Sequence, residues 1–306
     1  MWLALVAGVV QMRASHSSKT AEQMALSRAI ETRKRPDERI CSDALAEGFL
    51  GLAYKALLLA RPLRDGVEKL IEAMFAGHHY YVVARTRYFD DVLLELIAGK
   101  PEQLVILGAG YDSRAYRFAD RLAGVAVFEV DHPATSVSKR ARMHRVAGAA
   151  SASVVYVPVD FNTETLADKL RQNGYRDQRR TIVLWEGVTP YLTADAVDDT
   201  LRFISGSTAK GSAIVFDYIL RSVVSGTCEL RGARNEFEKM QRSDEALRFG
   251  IDEGQIASFL SARGYDQVID MGADDLKARY FQGGNEGRYV KPWWRIARAS
   301  VATPGC

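Results

Sequence analysis

Apolar residues recur along this chain with two different spacings, and the order of the two predicts its architecture. From Thr20 onward Ala21, Met24, Ala25, Ala29 and Ile30 return at helical intervals, with Thr20 placed to cap the first turn. Phe49 to Leu59 is apolar and is broken at Arg61-Pro62; residues 63 to 98 again read as helical, with a turn near Gly77-His78-His79. Then the pattern changes. Leu104-Val-Ile-Leu107 is a short continuous run, the mark of a strand buried on both faces of a parallel sheet. Val125–Val130, Val154–Val157, Thr181–Trp185 and Ser212–Tyr218 repeat it, separated by helical stretches such as Thr193–Ser205. Gln267–Asp270 and Val290–Arg298 complete an α/β, Rossmann-like sheet of about seven mostly parallel strands, the last of them antiparallel. The expected organisation is a helical cap over residues 1–102 and a core over residues 103–306. Residues 219–250, polar and without a strand signal, form a helical lid insertion in that core.

The exit from the first strand carries the chemistry. Gly108-Ala109-Gly110 lets backbone turn sharply and approach a ligand closely. The second strand ends in Asp131, where a carboxylate can accept both hydroxyls of a ribose. A dinucleotide fingerprint would have a third glycine where this chain has Ser113, preceded by Asp112. Asp112 repels pyrophosphate and suits a phosphate-free ligand with a cationic end. S-adenosylmethionine (SAM), an adenosine joined to a sulfonium and an amino acid, is such a ligand.

The motifs Leu-Gly-Ala-Gly-Tyr-Asp-Ser-Arg-Ala-Tyr-Arg (107–117), Phe-Glu-Val-Asp-His-Pro-Ala-Thr (128–135), Val-Pro-Val-Asp-Phe (157–161) and Trp-Glu-Gly-Val-Thr-Pro-Tyr-Leu (185–192) stand in that order. In them the chain resembles the leucine carboxyl methyltransferase family, and more closely its bacterial branch of small-molecule SAM-dependent O-methyltransferases. The resemblance runs from about Lys19 to Asp217 and weakens after Tyr218. It implies a class I methyltransferase fold, with SAM as cofactor and S-adenosylhomocysteine (SAH) as product. By the same resemblance Lys19 and Arg85 would hold the SAM carboxylate, Arg85 through its bidentate fork. Gly108, Ala109, Gly110 and Asp112 would form the turn beneath the ligand, and Asp131 would take the ribose. Asp160 would accept from the adenine amino group and Phe161 pack on the ring. Glu186 would sit near the sulfonium and amino group, where negative charge is favoured. Glu186, Tyr191 and Tyr218 are the candidate catalytic residues, delivered to the edge where open α/β sheets bind ligands.

Composition narrows the field. With 306 residues, 47% apolar and 26% charged, the chain reads as an ordinary globular protein. Its net charge of +3 and the single basic cluster Arg33-Lys-Arg35 give no nucleic-acid surface. The apolar start, Met1 to Val10, is too short to span a bilayer and lacks the basic residues of a secretory signal. Cys41, Cys228 and Cys306 are far apart and odd in number, which suggests reduced thiols in a cytoplasm and no structural metal. The expected partner is a small-molecule acceptor, with a homodimer left open. Two other readings remain at this point: a protein C-terminal carboxyl methyltransferase, and an NAD(P)-dependent oxidoreductase built on the same βαβ unit.

Overall fold

The computed structural model describes residues 16–146, 153–160, 163–241 and 246–302. The apolar start of the chain, Phe161 and Cys306 lie outside them, and the side chain of Lys19 is likewise not described. Helix α1 (His16–Thr32) begins one turn before the predicted Thr20. It is followed by α2 (Leu52–Leu58), α3 (Arg61–Met74) and α4 (His78–Ile97), the last two separated by the expected turn, where Gly77 takes a left-handed φ of 75°.

The sheet follows. Strands β1 (Gln103–Leu107) and β2 (Ala126–Asp131) enclose the short α5 (Arg114–Arg117), and α6 (Pro133–Val146) leads to β3 (Val154–Pro158). Helix α7 (Leu166–Gln172) precedes β4 (Thr181–Trp185), and α8 (Ala194–Ser207), capped by the Thr193 hydroxyl, precedes β5 (Ala213–Ile219). The segment after β5 holds α9 (Arg221–Val224) and α10 (Ala233–Gln241); α11 (Ile256–Ser261), β6 (Tyr265–Met271), α12 (Ala273–Tyr280) and β7 (Trp294–Val301) complete the chain. Strand order is β3-β2-β1-β4-β5-β7-β6, parallel except that β7 runs against both its neighbours. Every residue of β1, β4 and β5 is buried, which explains why those strands read as continuous apolar runs instead of alternating ones. The order reverses direction at β1, so the crevice beyond β1 and β4 is where such a sheet binds its ligand.

Two apolar clusters hold the molecule. The larger covers both sheet faces; the smaller joins α1 and α3 to Phe49, Tyr111 and Met143, with the rings of Phe49 and Tyr111 stacked at 4.9 Å. Among the described residues no helix is long and apolar enough to cross a membrane.

One charge is buried among the first helices. The Glu31 carboxylate is wholly enclosed, 2.7 Å from Lys34 Nζ and 3.4 Å from His79 Nε2, and it accepts from the Ile40 N–H at 2.6 Å. Burial alone would raise its pKa, but His79 and Lys34 outweigh burial and hold it down from 4.5 to about 2. A carboxylate whose pKa is depressed by folding lends stability above its unfolded pKa and withdraws it as pH falls through the folded one. Glu31→Gln should therefore cost about 3 kcal/mol at pH 7. In urea titrations the gap from wild type should close as pH drops from 4.5 towards 2. A gap independent of pH would disprove this role for Glu31.

Candidate active site

Strand alternation decides which side chains share the crevice. Successive residues of a strand face opposite sides of the sheet. On β5, Asp217 faces α4, whereas Tyr218 faces away: its hydroxyl donates to Asp270 Oδ1 at 3.0 Å, beside Arg295. The two neighbours in sequence thus belong to different environments, and Tyr218 is not brought to the crevice.

On the near side a continuous chain of ion pairs runs through the molecule. Asp217 Oδ2 accepts from Arg85 Nη1 at 2.5 Å, and Arg85 Nε lies 3.0 Å from Glu186 Oε1. Glu186 Oε2 is 2.7 Å from Arg114 Nη1, and Arg114 also reaches Asp112 at 2.5 Å and Asp90 at 2.7 Å. Asp90 passes the chain to Arg117 at 2.7 Å, Arg117 to Asp43 at 3.6 Å, and Asp43 to Arg28 at 2.9 Å. Arg28 returns to the glycine turn by donating to the Tyr111 carbonyl at 2.7 Å. Among the described residues the network joins five carboxylates to four guanidinium groups and so carries one surplus negative charge when all are ionised.

Their ionisation follows from these partners. Burial pushes Glu186 up, but Arg114 and Arg85 overcome it and hold the carboxylate below its usual range. For Asp112 burial is likewise outweighed, chiefly by Arg114, and the pKa falls to about 2. Asp217 goes the other way: burial raises it in spite of Arg85 and the Gly187 N–H. Burial disfavours charge on Arg85 too, yet Asp217 and Glu186 more than reverse this and fix it as a cation. One geometric detail stands out. Arg85 Nε and Glu186 Oε2 are fully buried and close to opposite charges, but neither makes an aligned hydrogen bond. Buried polar groups are nearly always satisfied, so unmet hydrogen-bonding capacity in a cleft marks where a polar ligand fits.

The turn after β1 supplies the rest. Gly108 and Gly110 have φ of 63° and 41°, in the left-handed region, and a Cβ on Gly108 would collide with Val188. Ala109 is buried and its N–H donates to the Val130 carbonyl at 3.0 Å, tying the turn to β2. Asp131 accepts from the N–H groups of Gly110 at 2.5 Å and His132 at 2.6 Å, and its burial raises its pKa in spite of them. A carboxylate has about four lone-pair sites, so two remain for a diol. Asp112 is turned into Arg114, but Arg114 is shared among three carboxylates, so the turn stays hostile to phosphate.

Asp160, after β3, is half-buried and its N–H donates to Glu164 Oε2 at 2.9 Å. Tyr191 is half-buried in the 3₁₀ turn Thr189–Tyr191 above β4. Arg87, two residues on from Arg85, pairs with Asp91 at 2.8 Å, outside the crevice.

The leucine carboxyl methyltransferase family model matches residues 21–205. The chain belongs to that family. Its relatives include a candidate S-adenosyl-L-methionine-dependent methyltransferase of Mycolicibacterium smegmatis, 32% identical over 64% of this chain and 64% of that one. A Parafrankia protein named in the same way is 35% identical over 65% of this chain and 62% of its own length. A Mycolicibacterium gilvum protein, again so named, is 27% identical over 87% and 90%. The match thus spans just under two thirds of the first of these relatives. The matched residues take in Arg85, the glycine turn, Asp131, Asp160 and Glu186, and stop short of Asp217 and the lid.

The cofactor of this family is SAM, and the residues present fit it. Arg85 Nε and Glu186 Oε2, ion-paired but without an aligned hydrogen bond, offer hydrogen bonding of both signs to an amino-acid moiety, and Asp131 retains acceptor capacity for a ribose.

In the sequence Arg114, Asp90, Tyr81 and Arg28 have no place in the site, and Asp217 comes to the ligand edge as an available polar group, unranked against Glu186, Tyr191 and Tyr218. Part of the signal was present. Four acids and three arginines on motif loops and one helix face cannot all be solvated, and must pair. The period of two along β5 separates Asp217 from Tyr218 once the face of either is known.

Proposed function

We propose that the protein is a SAM-dependent O-methyltransferase acting on a small molecule, with a carboxylate as the favoured acceptor. The observation that carries this reading is the buried Arg85–Glu186–Asp217 cluster at the sheet edge, with its unmet hydrogen-bonding capacity. SAM, when bound, supplies a methyl group on sulfur that is already activated for displacement. The protein's task is then to align the nucleophile and keep water out. Asp131 would hold the ribose, Asp160 and Phe161 the adenine, and Arg85 with Lys19 the carboxylate. Glu186, kept ionised by two arginines, would face the cationic end.

The carboxylate preference has a chemical ground. Glu186 is a weakened base because two guanidinium groups hold its charge. Asp217 has its oxygens taken by Arg85, Tyr81 and the Gly187 N–H. Neither is disposed to remove a proton from a hydroxyl of pKa near 10, whereas a carboxylate arrives ionised and needs no base. Tyr191 would shape the acceptor side.

The test is transfer of labelled methyl from SAM to a panel of small acids and phenols, with the product then treated with mild alkali. Label released as methanol identifies an ester and supports the proposal in full. Alkali-stable label identifies an ether and moves the acceptor to a hydroxyl. Label that requires a protein C-terminus would replace the small molecule by a protein acceptor.

A further inference from the structure

Lys139, paired with Glu129, and Lys291 are buried cations with no part in the network above. Lys291, on the segment leading into β7, is 1% exposed. Its ammonium donates to Glu236 Oε2 of α10 at 2.6 Å and lies 3.3 Å from His78 Nδ1 of α4. Lysine only donates, so His78 Nδ1 must be the acceptor, which leaves the ring neutral with its proton on Nε2. The neighbouring groups agree: burial and the nearby Lys291 push the His78 pKa well down, and burial lowers that of Lys291 against the pull of Glu236. Glu72 and Lys239 are the other charges in this corner.

An ammonium has three protons, and these partners account for two. Two residues on, the Trp293 indole N–H is also buried and has no acceptor. The Trp293 ring lies 6.0 Å from Lys291 Nζ. An unmet indole donor beside a lysine with a proton to spare needs an acceptor with no proton of its own, and two oxygens on one carbon would serve both. Glu236, already in contact, shows that a carboxylate fits against Lys291.

This corner leads straight to the reaction edge. His78, Tyr81 and Arg85 are spaced i, i+3, i+7 along α4 and form one stripe. The Arg85 guanidinium lies 5.5 Å over the Tyr81 ring, and that ring is 5.4 Å from Trp294. Seven residues of helix span about 10 Å. The segment after β5 lies alongside: Gly232 is against Trp293, and Lys239 of α10 packs over Phe75.

We propose that Lys291 and Trp293 form the acceptor subsite, which binds a carboxylate of the substrate at the far end of the α4 stripe, about 10 Å of helix from Arg85. Glu236 occupies the place of that carboxylate until substrate displaces it. The substrate class is therefore a small elongated molecule with an acidic group at the far end, whatever group reacts at the near end. This rests on the methyltransferase reading.

A purely structural Lys291–Glu236 pair and a subsite with a stand-in make opposite predictions for the two partners. The protein is first titrated calorimetrically with SAH; failure to bind would sink the methyltransferase reading and this proposal with it. The SAH complex is then titrated with 3-(4-hydroxyphenyl)propionate and suberate, each beside its uncharged amide. Wild type should favour acid over amide at least tenfold. Lys291→Met should abolish the preference, and Glu236→Ala, which vacates the ammonium, should increase it about tenfold. Equal binding of acid and amide in a wild type that holds SAH would overturn the subsite and leave the cofactor reading standing. So would a preference that neither variant changes.

Discussion

Asp131→Ala should weaken SAH binding by at least a hundredfold while leaving the protein folded. Two hydrogen bonds to a charged acceptor contribute about 1.5–3 kcal/mol each, and a hundredfold in affinity is about 2.8 kcal/mol. Asp131 stands at the end of β2, its position fixed by the N–H groups of Gly110 and His132. Losing it also releases the glycine turn, so part of the effect comes through Gly110. Asp131→Asn separates the two contributions, because the amide keeps one acceptor for the turn and loses the charge. Its affinity should fall between those of wild type and alanine, with thermal midpoints of all three within a few degrees. Calorimetric affinities unchanged in the alanine variant would remove Asp131 from the cofactor site.

The second large effect concerns Arg85. It neutralises Glu186 and Asp217 at once; Arg85 and Asp217 are buried and Glu186 nearly so. Breaking a buried pair from one side strands the other charge and costs about 3–5 kcal/mol. Arg85→Met strands Asp217 and leaves Glu186 to Arg114 alone, so the loss should lie within that range and lower the melting temperature by about 6–10 °C for a chain of this size. Arg85→Lys restores a cation but not the fork that spans two carboxylates. It should recover part of the stability and little of the SAH affinity. If methionine at this position left the melting point unchanged, the ion-pair chain would not be holding the first helices to the sheet.

Much of this was legible in the sequence for a simple reason. Strands buried on both faces are continuous apolar runs, and β1, β4 and β5 are such strands, so their positions were recognisable to within a residue or two. The glycine turn was readable because positive φ demands glycine, and Asp131 because it follows at the end of the next run. Tyr218 shows the limit. Adjacent strand residues face opposite ways, and only a contact from elsewhere, here Arg85 on Asp217 and Asp270 on Tyr218, says which faces the crevice. The ion-pair chain was hidden for a related reason. Asp43, Asp90 and Asp217 are far apart in sequence, and each looks like an ordinary surface acid until α1 and α4 are packed on the sheet. The segment after β5 was legible only as polar and helical. Its meaning lies in Glu236 meeting Lys291, a contact of two residues 55 apart that no local pattern announces.

On the proposed function, the crevice built by Gly108, Gly110, Asp112, Asp131 and Glu186 takes SAM and is hostile to a dinucleotide. Calorimetric titration of the wild-type chain with SAH, run beside NADH under the same conditions, tests this most directly. SAH should bind once per chain and NADH should give no heat beyond dilution. Saturable binding of NADH with none of SAH would contradict the site as described and return the glycine turn to the oxidoreductases.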